Sequence, residues 1–162
     1  MNNIRTVDLA SGDVGTLTTF APLLNTRGFG PPVVEAVPDS LRVFGDQLLV
    51  TLLSGFPFPI GAAQVRMVDP DTGTNGPLIT GLTSAIDVLP LDDGSFLTLE
   101  FTADMFASPP PPGRLKWFAT PSSSPVVIPA TLITPTNLEL DEKTGAIYIT
   151  EIFTGRILKL SM

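Results

Sequence analysis

The chain has 162 residues, of which 43% are hydrophobic and 15% charged, and its net charge is −7. It is long enough for one domain with a real core and too apolar for disorder, while the acidic balance argues against nucleic acid as a partner, because phosphate binding comes mainly from Lys and Arg. There is no Cys and no His, which removes thiolate and imidazole metal sites, Cys nucleophiles and every triad with a histidine base, so any catalysis would rest on carboxylates, amides or hydroxyls.

The stretch from Met1 to Asp13 has no basic region followed by an apolar run, so it does not read as a signal peptide, and no later run is apolar enough to span a bilayer. The same stretch opens an internal repeat. Ile4-Arg5-Thr6-Val7-Asp8-Leu9-Ala10-Ser11-Gly12 is matched by Val65-Arg66-Met67-Val68-Asp69-Pro70-Asp71-Thr72-Gly73, and Gly15 and Leu17 follow at the offsets of Gly76 and Leu78. The repeated piece is a strand, a turn and a second strand. After it comes an insertion from Leu24 to Ala36, containing Arg27-Gly28-Phe29-Gly30-Pro31-Pro32.

An alternating strand then follows a turn-forming pair at Pro38-Asp39-Ser40-Leu41-Arg42-Val43, and the pattern returns at Thr83 to Val88 and at Pro135 to Leu140. Each leads into a turn and an apolar strand: Gly45-Asp46 into Gln47 to Leu53, Asp92-Asp93-Gly94 into Ser95 to Phe101, and Glu142 to Gly145 into Ala146 to Ile152. An acidic residue with Gly marks these hairpins because Gly accepts the positive φ of a tight turn. Third strands are expected at Ala63 to Val68, Arg114 to Ala119 and Arg156 to Leu160, and fourth strands at Pro77 to Leu82 and Pro125 to Ile133. Between them, Asp69 to Gly76 has the look of a calcium loop but lacks its terminal Glu, and reads as a hairpin turn. A second insertion, Ala103 to Gly113, carries Pro109-Pro110-Pro111-Pro112, a stiff extended connector or a ligand for an aromatic groove. Trp117, the single Trp, is expected in the core or at a sheet edge.

The chain thus reads as one all-β domain over 1–162, a partial (half) β-propeller of four-stranded antiparallel blades, two complete and two incomplete. The blade pieces run about 3–23, 38–82, 83–133 and 134–160. Continuous apolar runs such as Leu48-Leu49-Val50 and Val126-Val127-Ile128 suit strands covered on both faces, as stacked blades require. A β-sandwich gives a similar strand count without explaining the recurrent order.

The run Ser54 to Val65, with its Gly55-Phe56-Pro57-Phe58-Pro59 core, together with Leu99-Glu100, Pro112-Gly113-Arg114-Leu115 and Gly145 to Thr150, resembles the ScyD/ScyE family of bacterial propellers, named after members of the scytonemin pigment cluster. The last unit also looks like an NHL repeat of six-bladed propellers. The resemblance covers nearly the whole chain. It implies the C-terminal part of a protein about twice as long, exported to the periplasm or outside the cell, with no established reaction, whose partner is its own N-terminal half or, in isolation, a second copy docking on open blade edges. Leu52 stands where the family usually has Glu, whereas Glu100 and Glu151 keep it.

The function expected on these grounds is binding or scaffolding without catalysis and without an obligatory cofactor. The alternative is a remnant of a metal-dependent lactonase-type hydrolase. For that reading the candidates are Glu100, Asn137 and Glu151, a ring of oxygen ligands at a propeller mouth suited to Ca²⁺. Against it, each Glu could accept turn amides or pair with Arg114 or Arg156.

Overall fold

The computed structural model describes residues 2–161, which fold into strands and turns with no helix, so none of them forms a helix long and apolar enough to cross a membrane. The strands are β1 (Asn3–Val7), β2 (Val14–Thr19), β3 (Leu23–Leu24), β4 (Val33–Val34), β5 (Ala36–Phe44), β6 (Gln47–Ser54), β7 (Ala63–Val68), β8 (Asn75–Leu82), β9 (Ala85–Pro90), β10 (Phe96–Glu100), β11 (Gly113–Phe118), β12 (Val126–Leu132), β13 (Pro135–Asp141), β14 (Ala146–Glu151) and β15 (Arg156–Ser161). All pairings are antiparallel between chain neighbours. They give two-stranded sheets β1-β2 and β3-β4, four-stranded sheets β5-β6-β7-β8 and β9-β10-β11-β12, and a three-stranded sheet β13-β14-β15.

The larger strands and their order agree with the sequence reading to within two or three residues. The β3-β4 pair does not, because a two-residue ladder inside the first insertion is too short to show alternation.

The sheets stack face to face in chain order through three apolar layers. Ile4 and Leu17 of the first hairpin, with Phe20 and Leu23, pack on Val50, Leu52 and Val68. The other face of that sheet, with Leu49, Val65 and Ile79, meets Val88, Phe96 and Phe118 of the next. Its far side in turn, through Leu97, Leu99 and Leu115, meets Leu138, Ile147 and Ile149. The two middle sheets are therefore covered on both faces, and this is why β10 is buried at every position and apolar throughout except for Thr98 and Glu100. Four sheets in series, rather than two facing layers, describe the arrangement.

The outer face of the last sheet departs from expectation. An incomplete unit should present apolar surface there. Instead the register places Asn137 opposite Thr150, Glu139 opposite Tyr148, Tyr148 opposite Lys159 and Thr150 opposite Ile157, so the face is mostly polar. The Lys159 ammonium lies 5.7 Å from the Tyr148 ring centroid. Period-two alternation decides it: the apolar residues of β13 to β15, Ile157 excepted, fall on the side already buried.

The two copies of the internal repeat form the same turn. Asp8 accepts from the amides of Ala10 and Ser11, and Asp69 from those of Asp71 and Thr72, while Gly12 and Gly73 take φ of 78° and 71°. Asp141 makes a third version with Lys143, Thr144 and Gly145. A fourth, Glu151 to Gly155, joins β14 to β15. The sequence reading missed it because Glu replaces Asp.

Candidate functional site

Two distinct constellations occupy the inner strands, and loops at one end of the stack build a cavity beside them. The first constellation comprises the two glutamates. Glu100, at the end of β10, is fully buried; its Oε1 accepts from the Thr83 amide at 2.8 Å and from Lys116 Nζ at 2.6 Å, and its Oε2 from Arg114 Nε at 2.5 Å. Glu151, at the end of β14, repeats this: Oε1 takes the Ile133 amide at 2.6 Å, and Oε2 takes Thr154 and Arg156. Burial would raise the Glu151 carboxyl, but the Ile133 amide, the Thr154 hydroxyl and the Arg156 guanidinium outweigh it and hold it below its ordinary value.

Both amides belong to turns that enter the next sheet, and each such turn holds a left-handed residue that is not Gly, Ser84 (φ 48°) and Thr134 (φ 48°). The glutamates thus clamp two strained crossovers. Leu52 pairs with Gln64 in β7 as Glu100 pairs with Arg114 and Glu151 with Arg156, so where the carboxylate is absent the cation is absent too. The β5 ladder tells a second story: Ser54 faces Ala36 as Glu100 faces Ala85, because β5 bulges after Pro38. Thr51 fills that bulge, bonding Ser40 on one side and the Ile86 carbonyl of the next sheet on the other.

The second constellation was not singled out from the sequence, although its signal lay in the aligned first strands. Arg42, Asp87 and Glu139 occupy the same offset in three successive segments, and the structure brings them together. Arg42 Nη2 meets Asp87 at 2.9 Å and Nη1 meets Glu139 at 2.6 Å, and the guanidinium also donates to the Leu138 carbonyl. Asp87 is fully buried and also accepts from Asn137 Nδ2 and the Leu138 amide. Burial works against the charge on Arg42, but the hydrogen bonds it donates to Asp87 and Glu139 more than restore it and raise its pKa.

Of the candidate residues, Asn137 therefore sits on Asp87, whereas Glu100 and Glu151 face their own crossover turns; no hydrogen-bond partner is common to all three. Among the described residues no group of three or more carboxylates is placed to hold a metal ion.

The insertions converge on one end of the stack. Arg27 donates to the Phe58 carbonyl and to Asp104 at 2.5 Å, and lies 5.0 Å from the Phe106 ring centroid. Phe106 in turn packs edge-on against Phe29 and Phe56, 5.7 Å from each. The Arg27 bond, helped by the Phe106 amide, keeps the Asp104 carboxyl below its ordinary range. The polyproline run does not stand free: Pro111 accepts from Thr102, and Pro110 to Pro112 wall an apolar recess with Phe101, Ile133 and Phe153.

Beneath the Phe cluster lies a cavity of about 360 Å³. Leu53, Phe58, Ile86, Phe101 and Met105 line it, with Thr136 and the carboxyl of Asp39 as its polar groups. Leu53 and Phe101 each directly follow the position where Leu52 and Glu100 correspond, so the cavity lies where repeated strands end. Asp39 is exposed at the cavity mouth and takes no hydrogen bond or ion pair from any described residue; partial desolvation beside the apolar wall, then the charge of Asp87, raises its pKa. Sequence reading had no signal for this cavity, since its walls come from the β6–β7 loop, the second insertion and three sheets.

No protein-family model matches the chain, and no curated protein matches it in sequence. The resemblance to the ScyD/ScyE family thus rests on the segments quoted above.

Proposed function

We propose that the chain is an open segment of a ScyD/ScyE-like β-propeller, exported with the remainder of its parent, and that it works as a binding module that holds a small apolar ligand at the loop end of its inner strands. The convergence of Arg42, Asp87 and Glu139 supports the propeller part, because equivalent positions of successive blades approach one another only near a common axis. The cavity beside Asp39 carries the binding part: a concave, largely apolar space of about 360 Å³ with two polar groups has the size and lining of a small-molecule site. Glu100 and Glu151 have structural duties in this reading, and no hydrolytic step is assigned to them.

On the same reading, ring completion comes from the parent's other half or from a second copy, through the β15 edge and the polar face of the last sheet. Binding is tested by titrating 4-phenyl-1-butanol while recording amide NMR shifts. We expect saturable changes at Leu53, Ile86, Phe101 and Thr136. Shifts confined to other regions, or none up to the solubility limit, would remove the cavity from the account.

A further inference from the structure

We infer that the cavity selects a cationic ligand: an apolar body carrying a primary or substituted ammonium group that pairs with Asp39. This deepens the cavity reading and depends on it.

The geometry leaves Asp39 as the one carboxylate of the inner strands without a partner. Asp87 has Arg42, Asn137 and two backbone amides; Glu139 has Arg42; Glu100 has Arg114 and Lys116; Glu151 has Arg156. Asp39 alone has no donor aimed at it, and it stands exposed at the mouth of a largely apolar cavity. A ligand that closes over it strips its water; one that brings a positive charge offsets that loss, whereas a neutral ligand does not.

The surroundings add to the selection. Arg42 is already shared between Asp87 and Glu139, and the charge of Asp87 also reaches Asp39, so the local field favours a cation and repels an anion. Two of the walls, Phe58 and Phe101, offer π-faces, and Met105 a polarisable sulfur, all of which suit an onium group and the carbons next to it. Thr136 Oγ1 is within 2.9 Å of Thr150 Oγ1, so its remaining lone pair can accept a second N–H. Phe58 is held in place by Arg27 through its carbonyl, which fixes that wall before a ligand arrives.

Three probes of one shape separate the possibilities: 4-phenylbutylamine, 4-phenyl-1-butanol and 4-phenylbutanoate, titrated at pH 7 into the whole chain by calorimetry, with amide shifts to locate them. The amine should bind at least about tenfold more tightly than the alcohol, the worth of one charge-assisted pair, and the carboxylate most weakly. In Asp39→Asn, and in Asp39→Ser as an independent replacement, the amine should lose its advantage over the alcohol. Both variants should unfold as cooperatively as the parent, since Asp39 holds nothing together. Equal affinity for amine and alcohol in the unmodified chain, or an amine preference that survives both substitutions, overturns the inference while leaving the cavity reading standing. If none of the three probes shifts the cavity amides, both fall.

Discussion

Replacing Glu100 by Gln isolates the charge of the buried clamp while keeping its shape. Lys116 has a side chain 9% exposed and Arg114 one 32% exposed, and both end on a carboxylate with no exposure at all. Gln Oε1 still accepts from the Thr83 amide and from Lys116, but the ammonium loses its counter-charge in a layer where it pairs with no other carboxylate, and the Gln NH2 meets the Arg114 donor. Breaking a buried pair from one side costs about 3–5 kcal/mol, a large share of a stability expected at about 5–15 kcal/mol. The repeat supplies an internal control. In Glu151→Gln the stranded cation is Arg156, whose side chain is 49% exposed and can return to water, so the loss should be about 1 kcal/mol or less. Urea unfolding with linear extrapolation reads both. Glu100→Gln/Lys116→Met should recover most of the loss by removing the stranded charge. Equal losses in the two single variants would refute the reasoning, since it attributes the difference to burial of the cation alone.

Gly73 and Gly145 have nearly the same backbone angle, φ 71° and 68°, yet an added Cβ would stand 2.1 Å from the Leu17 carbonyl at Gly73 and meet nothing within 4 Å at Gly145. Gly145→Ala should therefore cost about 1 kcal/mol in thermal unfolding, and Gly73→Ala clearly more, with the first hairpin displaced. Arg42→Met should leave Asp87 buried and short of a cation, a loss of about 3 kcal/mol or more by the same urea assay. The pH dependence follows from Asp104, whose folded pKa is depressed below its ordinary 3.8. Its pairing with Arg27 contributes stability above that value and loses it as pH falls through the folded pKa, so the protection of the Phe106 amide, taken relative to its intrinsic exchange rate at each pH, should fall on acidification below about pH 4, and Arg27→Ala should flatten that acid limb.

Local signals made most of the fold legible. Asp-x-x-Ser/Thr-Gly marks a turn because the carboxylate takes two amides and the Gly takes a positive φ, and both causes lie within five residues. The continuous apolar runs were a mixed guide: Leu49 and Val50 of β6 are buried as two-face cover requires, whereas Val126 and Val127 are exposed because β12 is the edge strand of its sheet. What escaped depends on long-range placement. The Arg42, Asp87 and Glu139 cluster needs three sheets brought together, and the cavity at Asp39 needs the β6–β7 loop and the second insertion folded over strands from all of them. The polar outer face of β13 to β15 was in principle readable, since Tyr148, Thr150 and Lys159 alternate with Ile147, Ile149 and Leu158, but the expectation of an exposed blade face displaced the simple period-two reading.

We propose that these stacked sheets are part of an unfinished ring. In it, the β15 edge is unpaired among the described residues, with Ile157 exposed on the strand. Light scattering coupled to size exclusion measures the consequence directly. The isolated chain should run at twice its own mass or larger, and Ile157→Lys, which places a charge on that edge strand, should shift it toward the monomer. A stable monomer at every concentration tested would contradict the open-ring reading.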